Sequence, residues 1–311
     1  MGVPVLDHQA VLGAVSPARA IAEVRSAFIK YERGELVMPP KVYLPSPPNG
    51  DFRAMPALGD GLAILKWVTS FPANTDQPTV NGLVCVSDAS NGALIMLLDG
   101  RAVTALRTGA VAAVAATALA STDRTVGIVG CGVHGAWAAR CLRAEGFGPG
   151  TCADPDVAAA AALADELGWE VGTRERALAA GIVTTTTPGA VPVVREADLH
   201  PGLHLTMLGA DGPGKHETTA EVIGRCTLFC DDWVQASHGG EMSGAVEEGR
   251  VTQDDVTNLG AVLAGGHPGR TSDEEMTLFD STGLAIQDLA IARVAWEGWQ
   301  AGAVDAQTVV L

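Results

Sequence analysis

The stretch Gly127-Ile128-Val129-Gly130-Cys131-Gly132-Val133-His134-Gly135 decides how this chain is read. Gly130, Gly132 and Gly135 are spaced G-x-G-x-x-G. An apolar run, Val126 to Val129, precedes them, and a helix-prone segment, Ala136 to Ala144, follows. Between a strand and a helix each glycine has a use. Gly130 permits the tight turn, Gly132 lets the backbone approach a pyrophosphate, and Gly135 lets helix and strand pack closely. The helix start, with Val133 and His134, offers N–H groups and a positive dipole end to phosphates. A chain with 37 glycines meets this spacing by chance, so the flanking strand and helix carry the weight. Asp154 closes the next apolar-to-polar run, Thr151-Cys152-Ala153-Asp154. It lies roughly 20 residues beyond the glycines, where a carboxylate binds a ribose 2′-hydroxyl. A carboxylate there repels a 2′-phosphate, and no Arg or Lys follows at once, so the expected cofactor is NAD rather than NADP. The competing reading makes Asp154 the start of an Asp-Pro turn, with Asp156 capping the next helix.

Bulk properties narrow the class. A chain of 311 residues is long for one core and sufficient for two domains. The formal net charge of −16 argues against nucleic acid and anionic membranes as partners. No window holds 18 purely apolar residues, and the first residues lack a basic, then apolar, leader pattern. The six cysteines (85, 131, 141, 152, 226 and 230) include no C-x-x-C pair, and the seven histidines show no metal-ligand spacing. Reduced, mostly buried thiols in a cytoplasmic protein without a bound metal are the expectation.

The periodicity changes along the chain. Residues 17–33 have helical spacing, with Ser16 as cap and Pro17 at the first helical position. Residues 38–58 are Pro-rich and read as irregular. Strand-like runs follow at 62–68, 79–87 and 93–98, the last two joined by a hairpin loop, Asp88 to Gly92. An Ala-rich helix is expected over 110–120. Helical and strand-like runs then alternate: helices at 134–146 and 157–167, strands at 150–153, 169–172, 181–187, 203–208, 226–230 and 276–280. An amphipathic helix over 284–299 is expected to return to the first domain. The fold class is α/β: a Rossmann-type doubly wound parallel sheet plus an α+β domain for substrate binding and dimerisation. The expected division is 1–112 with 292–311 for the latter, and 113–291 for the NAD-binding domain.

A nucleotide domain does not name a reaction. Three basic residues stand in apolar surroundings before it: Arg53 in Phe-Arg-Ala-Met-Pro-Ala, Lys66 in Leu-Lys-Trp-Val, and Arg107 in Thr-Ala-Leu-Arg-Thr-Gly. A Lys inside an apolar strand is costly without an anionic partner. Together the three would suit a substrate carboxylate. The plainer alternative pairs each with a nearby acid such as Asp51 or Asp99. Asp211 follows the apolar run 203–208 in a Gly/Pro-rich loop, Gly209-Ala210-Asp211-Gly212-Pro213-Gly214-Lys215-His216-Glu217. Ligands bind outside such strand ends, and a carboxylate there can position water or move a proton; a turn-forming Asp reads equally well. Asp231-Asp232-Trp233 and Gly240-Glu241 look like turn and cap residues. In Phe279-Asp280-Ser281-Thr282-Gly283, Ser281 or Thr282 could cap the next helix, or the loop could approach a nicotinamide.

Taken together these blocks resemble the ornithine cyclodeaminase/mu-crystallin family. The matching pieces are Phe-Arg-Ala-Met-Pro-Ala, Leu-Lys-Trp-Val, Ala-Leu-Arg-Thr-Gly, Gly-x-Gly-Val-x-Gly, Gly-Ala-Asp-x-Pro-Gly-Lys-x-Glu and Phe-Asp-Ser-Thr-Gly-Leu-Ala-Ile-Gln-Asp, in order over residues 35 to 300. The resemblance implies NAD(P)-dependent chemistry at the Cα of an amino acid and a homodimer joined through the substrate domain. It implies that Lys66 and Arg107 hold a substrate carboxylate, with Lys66 also among the catalytic groups. Asp211 is implied as the catalytic acid/base, and Lys41 is a further substrate-site candidate. The implied cofactor contacts are Gly130, Gly132, Val133, His134, Gly135 and Asp154, with Thr108, Ser281, Thr282 and Gly283. Ornithine cyclodeaminases tend to carry Glu at the position of Arg53, to hold a distal amine. An Arg there repels an ammonium and attracts a carboxylate, which points to the alanine dehydrogenase-like branch. The alternatives are cyclisation of ornithine to proline plus ammonia with catalytic NAD, and a non-enzymatic nucleotide-binding role like that of mu-crystallin.

Overall fold

The computed structural model describes residues 2–189, 191–212 and 214–310. The chain divides into two compact units, Met1–Arg107 with Leu284–Leu311, and Thr108–Gly283. The first division falls inside one helix, Gly100–Leu119, and the second just before another, Ala285–Gln300. The sequence pattern put these divisions after 112 and after 291, because an unbroken helix carries no turn residues to mark where its contacts change.

The first unit is built on a seven-stranded sheet. Its strands are β1 (Gly2–Leu6), β2 (Val42–Ser46), β3 (Gly50–Gly59), β4 (Leu62–Ser70), β5 (Val80–Asp88), β6 (Leu94–Asp99) and β15 (Gln307–Val310), in the order 15-1-6-5-4-3-2. β2 to β6 pair antiparallel, and β1 pairs parallel with β6. The segment expected to be irregular, 38–58, is therefore largely strand. Its prolines disguised a period of two: Arg53, Met55 and Ala57 are buried on alternate positions of β3. Pro45 lies on the edge strand β2, and Pro56 lies beyond the last residue of β3 that β2 pairs, Ala54, so no interior ladder loses a donor. Asp60 and Gly61, both at positive φ, make the two-residue turn from β3 to β4.

In β4 the buried positions are Leu62, Ile64, Lys66, Val68 and Ser70. The charged residue thus faces inward while its apolar neighbours Leu65 and Trp67 face solvent. The Ala285–Gln300 helix packs against the Pro17–Glu32 helix and against β3 and β4. It is buried on every side from Ala285 to Ala292, not amphipathic there as its composition suggested. The Gly100–Leu119 helix starts well before the expected residue 110, with the Asp99 carboxylate accepting from the Ala102 N–H at 2.9 Å. It is long and apolar enough to cross a bilayer, yet it is mostly buried within the protein.

The second unit holds an eight-stranded sheet, parallel at every pair: β7 (Val126–Val129), β8 (Gly150–Ala153), β9 (Glu170–Val171), β10 (Ile182–Thr185), β11 (His204–Met207), β12 (Thr227–Cys230), β13 (Val256–Asn258) and β14 (Thr277–Asp280). The order is 13-12-14-11-10-7-8-9. The chain runs outward from β7 through β8 to β9, then returns to β10 on the other side of β7. This reversal makes the carboxyl ends of β7 and β10 the topological switch point, where ligands bind in such sheets.

β7 packs without side-chain room at its second residue. A Cβ on Gly127 would run into the Ala177 carbonyl oxygen. Gly127→Ala is expected to destabilise the second unit by about 2–3 kcal/mol, as overpacking against backbone does. Urea denaturation followed by tryptophan fluorescence tests this, and an unchanged midpoint would refute it.

Candidate functional site

In the first unit β3, β4 and the Gly100–Leu119 helix bring Arg53, Lys66 and Arg107 together. Lys66, 1% exposed, puts Nζ 2.8 Å from Oδ1 of Asp288, which is fully buried in the Ala285–Gln300 helix. Arg107 Nε lies 3.7 Å from the same oxygen, and Arg107 Nη1 donates to Gln287 Oε1 at 3.5 Å. Burial pushes the Lys66 pKa down to about 8, against the attraction of Asp288, and the charges of Arg107 and Arg53 push the same way. Arg53 itself pairs with Asp51 two residues away on the strand, Nε to Oδ1 at 2.6 Å and Nη2 to Oδ2 at 3.1 Å, and lies over the Tyr43 ring. Lys41 is half-buried and immediately precedes β2. Two donors, Arg107 Nε and Gln287 Nε2, are buried without a hydrogen-bond acceptor among the described residues. Such donors are costly unless a ligand supplies acceptors. Neither Gln287 nor Asp288 was singled out from the sequence, although both stand in the Ala-Ile-Gln-Asp end of a block that was.

In the second unit the predicted nucleotide loop sits at the switch point. Gly130 has φ +96°, which only glycine tolerates readily, and a Cβ on Gly135 would strike the Gly130 carbonyl oxygen. A Cβ on Gly132 would meet only open space, so this glycine leaves an approach free rather than a contact satisfied. The Val133–Ala144 helix begins behind it with no side-chain cap. Val133 is largely exposed and His134 half-buried. Asp154 accepts from the Cys131 N–H at 2.6 Å and from the Asp156 N–H at 2.8 Å. Those two bonds hold its carboxylate beside the glycine loop, and each oxygen keeps a lone pair for a ribose hydroxyl. Asp156 does cap its helix, through Ala158 and Ala159. The Thr108 hydroxyl is buried with no partner among the described residues. Open space over Gly132, an uncapped helix start, a fixed carboxylate and an unsatisfied hydroxyl fit a dinucleotide.

The remaining loops at the carboxyl end of this sheet are held by buried acids. Asp231 accepts from Ser281 Oγ (3.1 Å), Thr282 Oγ1 (3.2 Å) and the Gly283 N–H (2.8 Å). Ser281 and Thr282 are therefore tied to Asp231 and do not cap the last helix, whose Leu284 N–H donates to Gln287 Oε1. Asp232 is a helix cap, as expected. Glu241, read from the sequence as a turn or cap residue, is 1% exposed and accepts from the Glu217 and Thr218 N–H groups. Asp280 accepts from the Met242 N–H at 3.1 Å, and its Oδ1 is buried without a partner among the described residues. These carboxylates are occupied by loop N–H and hydroxyl groups, and the described residues gather no group of three metal-ligating side chains. Asp211 lies in the loop after β11, with Lys215 Nζ donating to its Oδ1 at 2.6 Å. Pro213, quoted in the same loop, falls outside the described residues.

A parallel sheet with a glycine turn and an acid at its switch point defines a dinucleotide-binding α/β protein. Its family follows from comparison: the chain belongs to the ornithine cyclodeaminase/mu-crystallin family, whose model matches residues 4–303. It is 40% identical over 304 residues to the alanine dehydrogenase of Archaeoglobus fulgidus, covering 94% of each chain. It superposes on an archaeal alanine dehydrogenase dimer with bound NAD at a TM-score of 0.95 and 37% identity, over the full length of both chains. It also matches Thermococcus litoralis Δ1-pyrroline-2-carboxylate reductase, solved with NADH and L-proline, at a TM-score of 0.93 and 26% identity, covering 99% of this chain and 100% of that one.

Burial, reinforced by the facing charges of Asp231 and Glu217, pushes the Asp280 pKa up to about 8. Burial also pushes Glu241, beside it, up to about 8. Between an unfolded value of about 4 and the folded value, the folded chain keeps a proton that the unfolded chain releases, so stability falls as pH rises through that window. Asp280→Asn cannot ionise and escapes its share of the loss. Relative to the wild type it should gain stability between pH 5 and pH 8; parallel unfolding profiles at the two pH values would contradict this.

Proposed function

We propose that this protein is an NAD-dependent oxidoreductase acting at the Cα–N bond of a small amino acid, by oxidative deamination and its reverse, in the manner of an alanine dehydrogenase. The observation that carries the reading is the buried Lys66–Asp288 pair flanked by Arg107, with two nearby donors lacking acceptors. That arrangement suits one carboxylate and gives it a fixed orientation. The high identity to an alanine dehydrogenase, over nearly the whole of both chains, supports the choice within the family.

Lys66 and Arg107 bind the substrate carboxylate, with Arg53 and Lys41 as further contacts. Arg53, engaged by Asp51, presents a guanidinium, which disfavours a distal ammonium and with it ornithine. Gly130, Gly132, Gly135 and the helix start at Val133 and His134 bind pyrophosphate. Asp154 takes the ribose hydroxyl, and Thr108 and the Ser281-Thr282-Gly283 loop complete the cofactor set. Bound there, NAD would supply the acceptor for a hydride from the substrate Cα. Asp211 takes a proton from the amine and positions the water that attacks the imine carbon. Lys66, with its pKa lowered to about 8, is a second group able to exchange a proton near neutral pH. The balance is amino acid, NAD and water to 2-oxo acid, ammonium, NADH and a proton. The unbridged, mostly buried cysteines suit a reducing compartment, and the cytoplasm is the location inferred.

The first test uses purified protein, NAD and a panel of amino acids including alanine and ornithine, with NADH absorbance and product analysis in parallel. Net NADH with a 2-oxo acid is the expected result; proline and ammonia from ornithine without net NADH would overturn it. Asp211→Asn should lower kcat by about 100-fold or more at unchanged NAD affinity, as loss of an acid/base does; an active Asn variant would remove Asp211 from the mechanism.

The outward face of the first sheet supports a homodimer. Val42, Leu44, Leu58, Leu65, Trp67 and Leu83 are all exposed there, and Phe52 stacks on Trp67 at 5.6 Å. A contiguous apolar patch of this kind marks an interface. Replacing Leu65 and Trp67 together by Glu should convert a dimer to a monomer in sedimentation, and an unchanged mass would rule out this face.

A further inference from the structure

Glu217 closes the loop that carries Asp211. Its side chain is fully buried, and the donors named here lie in the same unit. Thr185 Oγ1, at the end of β10, donates to Oε2 at 2.6 Å, and the Gly209 N–H donates to the same oxygen at 2.7 Å. The Thr187 N–H donates to Oε1 at 2.6 Å. Gly209 opens the Asp211 loop and Glu217 ends it, so these bonds cinch its two ends together. Thr187 belongs to the segment after β10, where Thr186 Oγ1 donates to the Gly130 carbonyl at 2.8 Å. One carboxylate therefore ties the Asp211 loop to the segment beside the nucleotide loop. The backbone permits it only because residue 209 is glycine, since a Cβ there would collide with the Glu217 carboxylate and the Thr187 carbonyl oxygen. Glu241 fixes Glu217 in turn by accepting from its N–H and that of Thr218, and Asp280 fixes Met242 next to Glu241.

We propose that Glu217 is a positioning residue for Asp211: by binding Gly209, Thr185 and Thr187 at once it sets where the Asp211 loop stands relative to the nucleotide loop. The kinetic consequence rests on Asp211 being the acid/base, whereas the loop geometry does not. An amide cannot accept from three donors with both of its heteroatoms, so Glu217→Gln loses at least one bond and turns an N–H2 towards a donor. Misplacement of a catalytic group by a fraction of an ångström to an ångström costs one to two orders of magnitude in rate.

The experiment uses the full-length protein as wild type, Glu217→Gln, Thr185→Val and Asp211→Asn. Turnover, NAD affinity and hydrogen exchange by mass spectrometry are measured on each. For Glu217→Gln, kcat is expected to fall at least tenfold with KM and NAD affinity within about twofold of wild type, and exchange over residues 208–217 to quicken while that over 127–135 does not. Thr185→Val, which removes one of the donors to Glu217, should show the same pattern to a smaller degree. Wild-type kcat and exchange in Glu217→Gln would overturn the proposal. So would loss of NAD binding together with faster exchange throughout the unit, the mark of a merely structural role. If Glu217→Gln does not fold, Thr185→Val decides, and wild-type exchange over 208–217 in that variant counts against the proposal. If Asp211→Asn stays active, the role given to Asp211 fails, and the exchange pattern still reads Glu217 separately.

Discussion

Four carboxylates with almost no solvent exposure, Asp231, Glu217, Glu241 and Asp280, hold the working end of the second unit in place. A buried carboxylate is tolerated only where hydrogen bonds replace its water. Here the replacements are mostly backbone N–H groups of loops, at 209, 187, 217, 218, 242 and 283. The consequence runs both ways. The acids stay inside because the loops supply donors, and the loops have one conformation because the acids require those donors. Short parallel strands of four residues cannot themselves fix long connections, so the constraint has to come from such side chains. Burial is the cost, with repulsion among the acids added to it, and both show in the raised pKa values of Asp280 and Glu241. Sites that keep charge poised in this way are where function concentrates.

The first unit meets the opposite problem. Lys66 occupies an inward position in a strand whose other inward residues are Leu62, Ile64, Val68 and, at its end, Ser70. A lysine buried there survives because Asp288 is buried with it; removing one member of such a pair costs about 3–5 kcal/mol, far more than the pair contributes to stability. A fold that only needed a core would place another aliphatic residue at 66. The retained pair, with Arg107 alongside and donors left over, is better explained by a ligand that shares the charge.

The legible parts of this molecule were those in which residue type is compelled by backbone geometry. Gly130 and Gly135 are required by a positive φ and by a close approach, so their spacing could be read directly, as could the Ser16-Pro17 helix start. The place of Asp154, just after β8, was legible too, since it depends on the strand before it. The segment 38–58 was not, because Pro45 and Pro56 hid the alternation of Arg53, Met55 and Ala57, and only the pairing pattern shows why those prolines are harmless. Glu217, Glu241 and Asp231 were illegible as a group. Each stands beside Gly, Thr or Asp, where a turn or cap is the ordinary reading, and apart from the Asp232 N–H on Asp231 the partners named above lie between 8 and 52 residues away. A carboxylate that caps a distant loop leaves no local period. The one signal available was position: all follow the carboxyl ends of strands or the loops that leave them.

The pairing of Arg53 with Asp51 bears on how the family's chemistries part. The bond joins two residues on the same face of one strand, so the guanidinium is held by a partner that is present before any substrate arrives. A pre-set guanidinium costs little side-chain entropy on binding, which favours recognition of a planar acceptor. Cyclisation instead needs a distal amine to be welcomed and brought back to the imine carbon, and a fixed cation works against both. With no internal amine to compete, water is the nucleophile left to attack the imine, and on the proposed reading Asp211 is the group that directs it. On this argument the choice between deamination and cyclisation turns on the charge at residue 53, while the hydride-transfer machinery common to both is left unchanged.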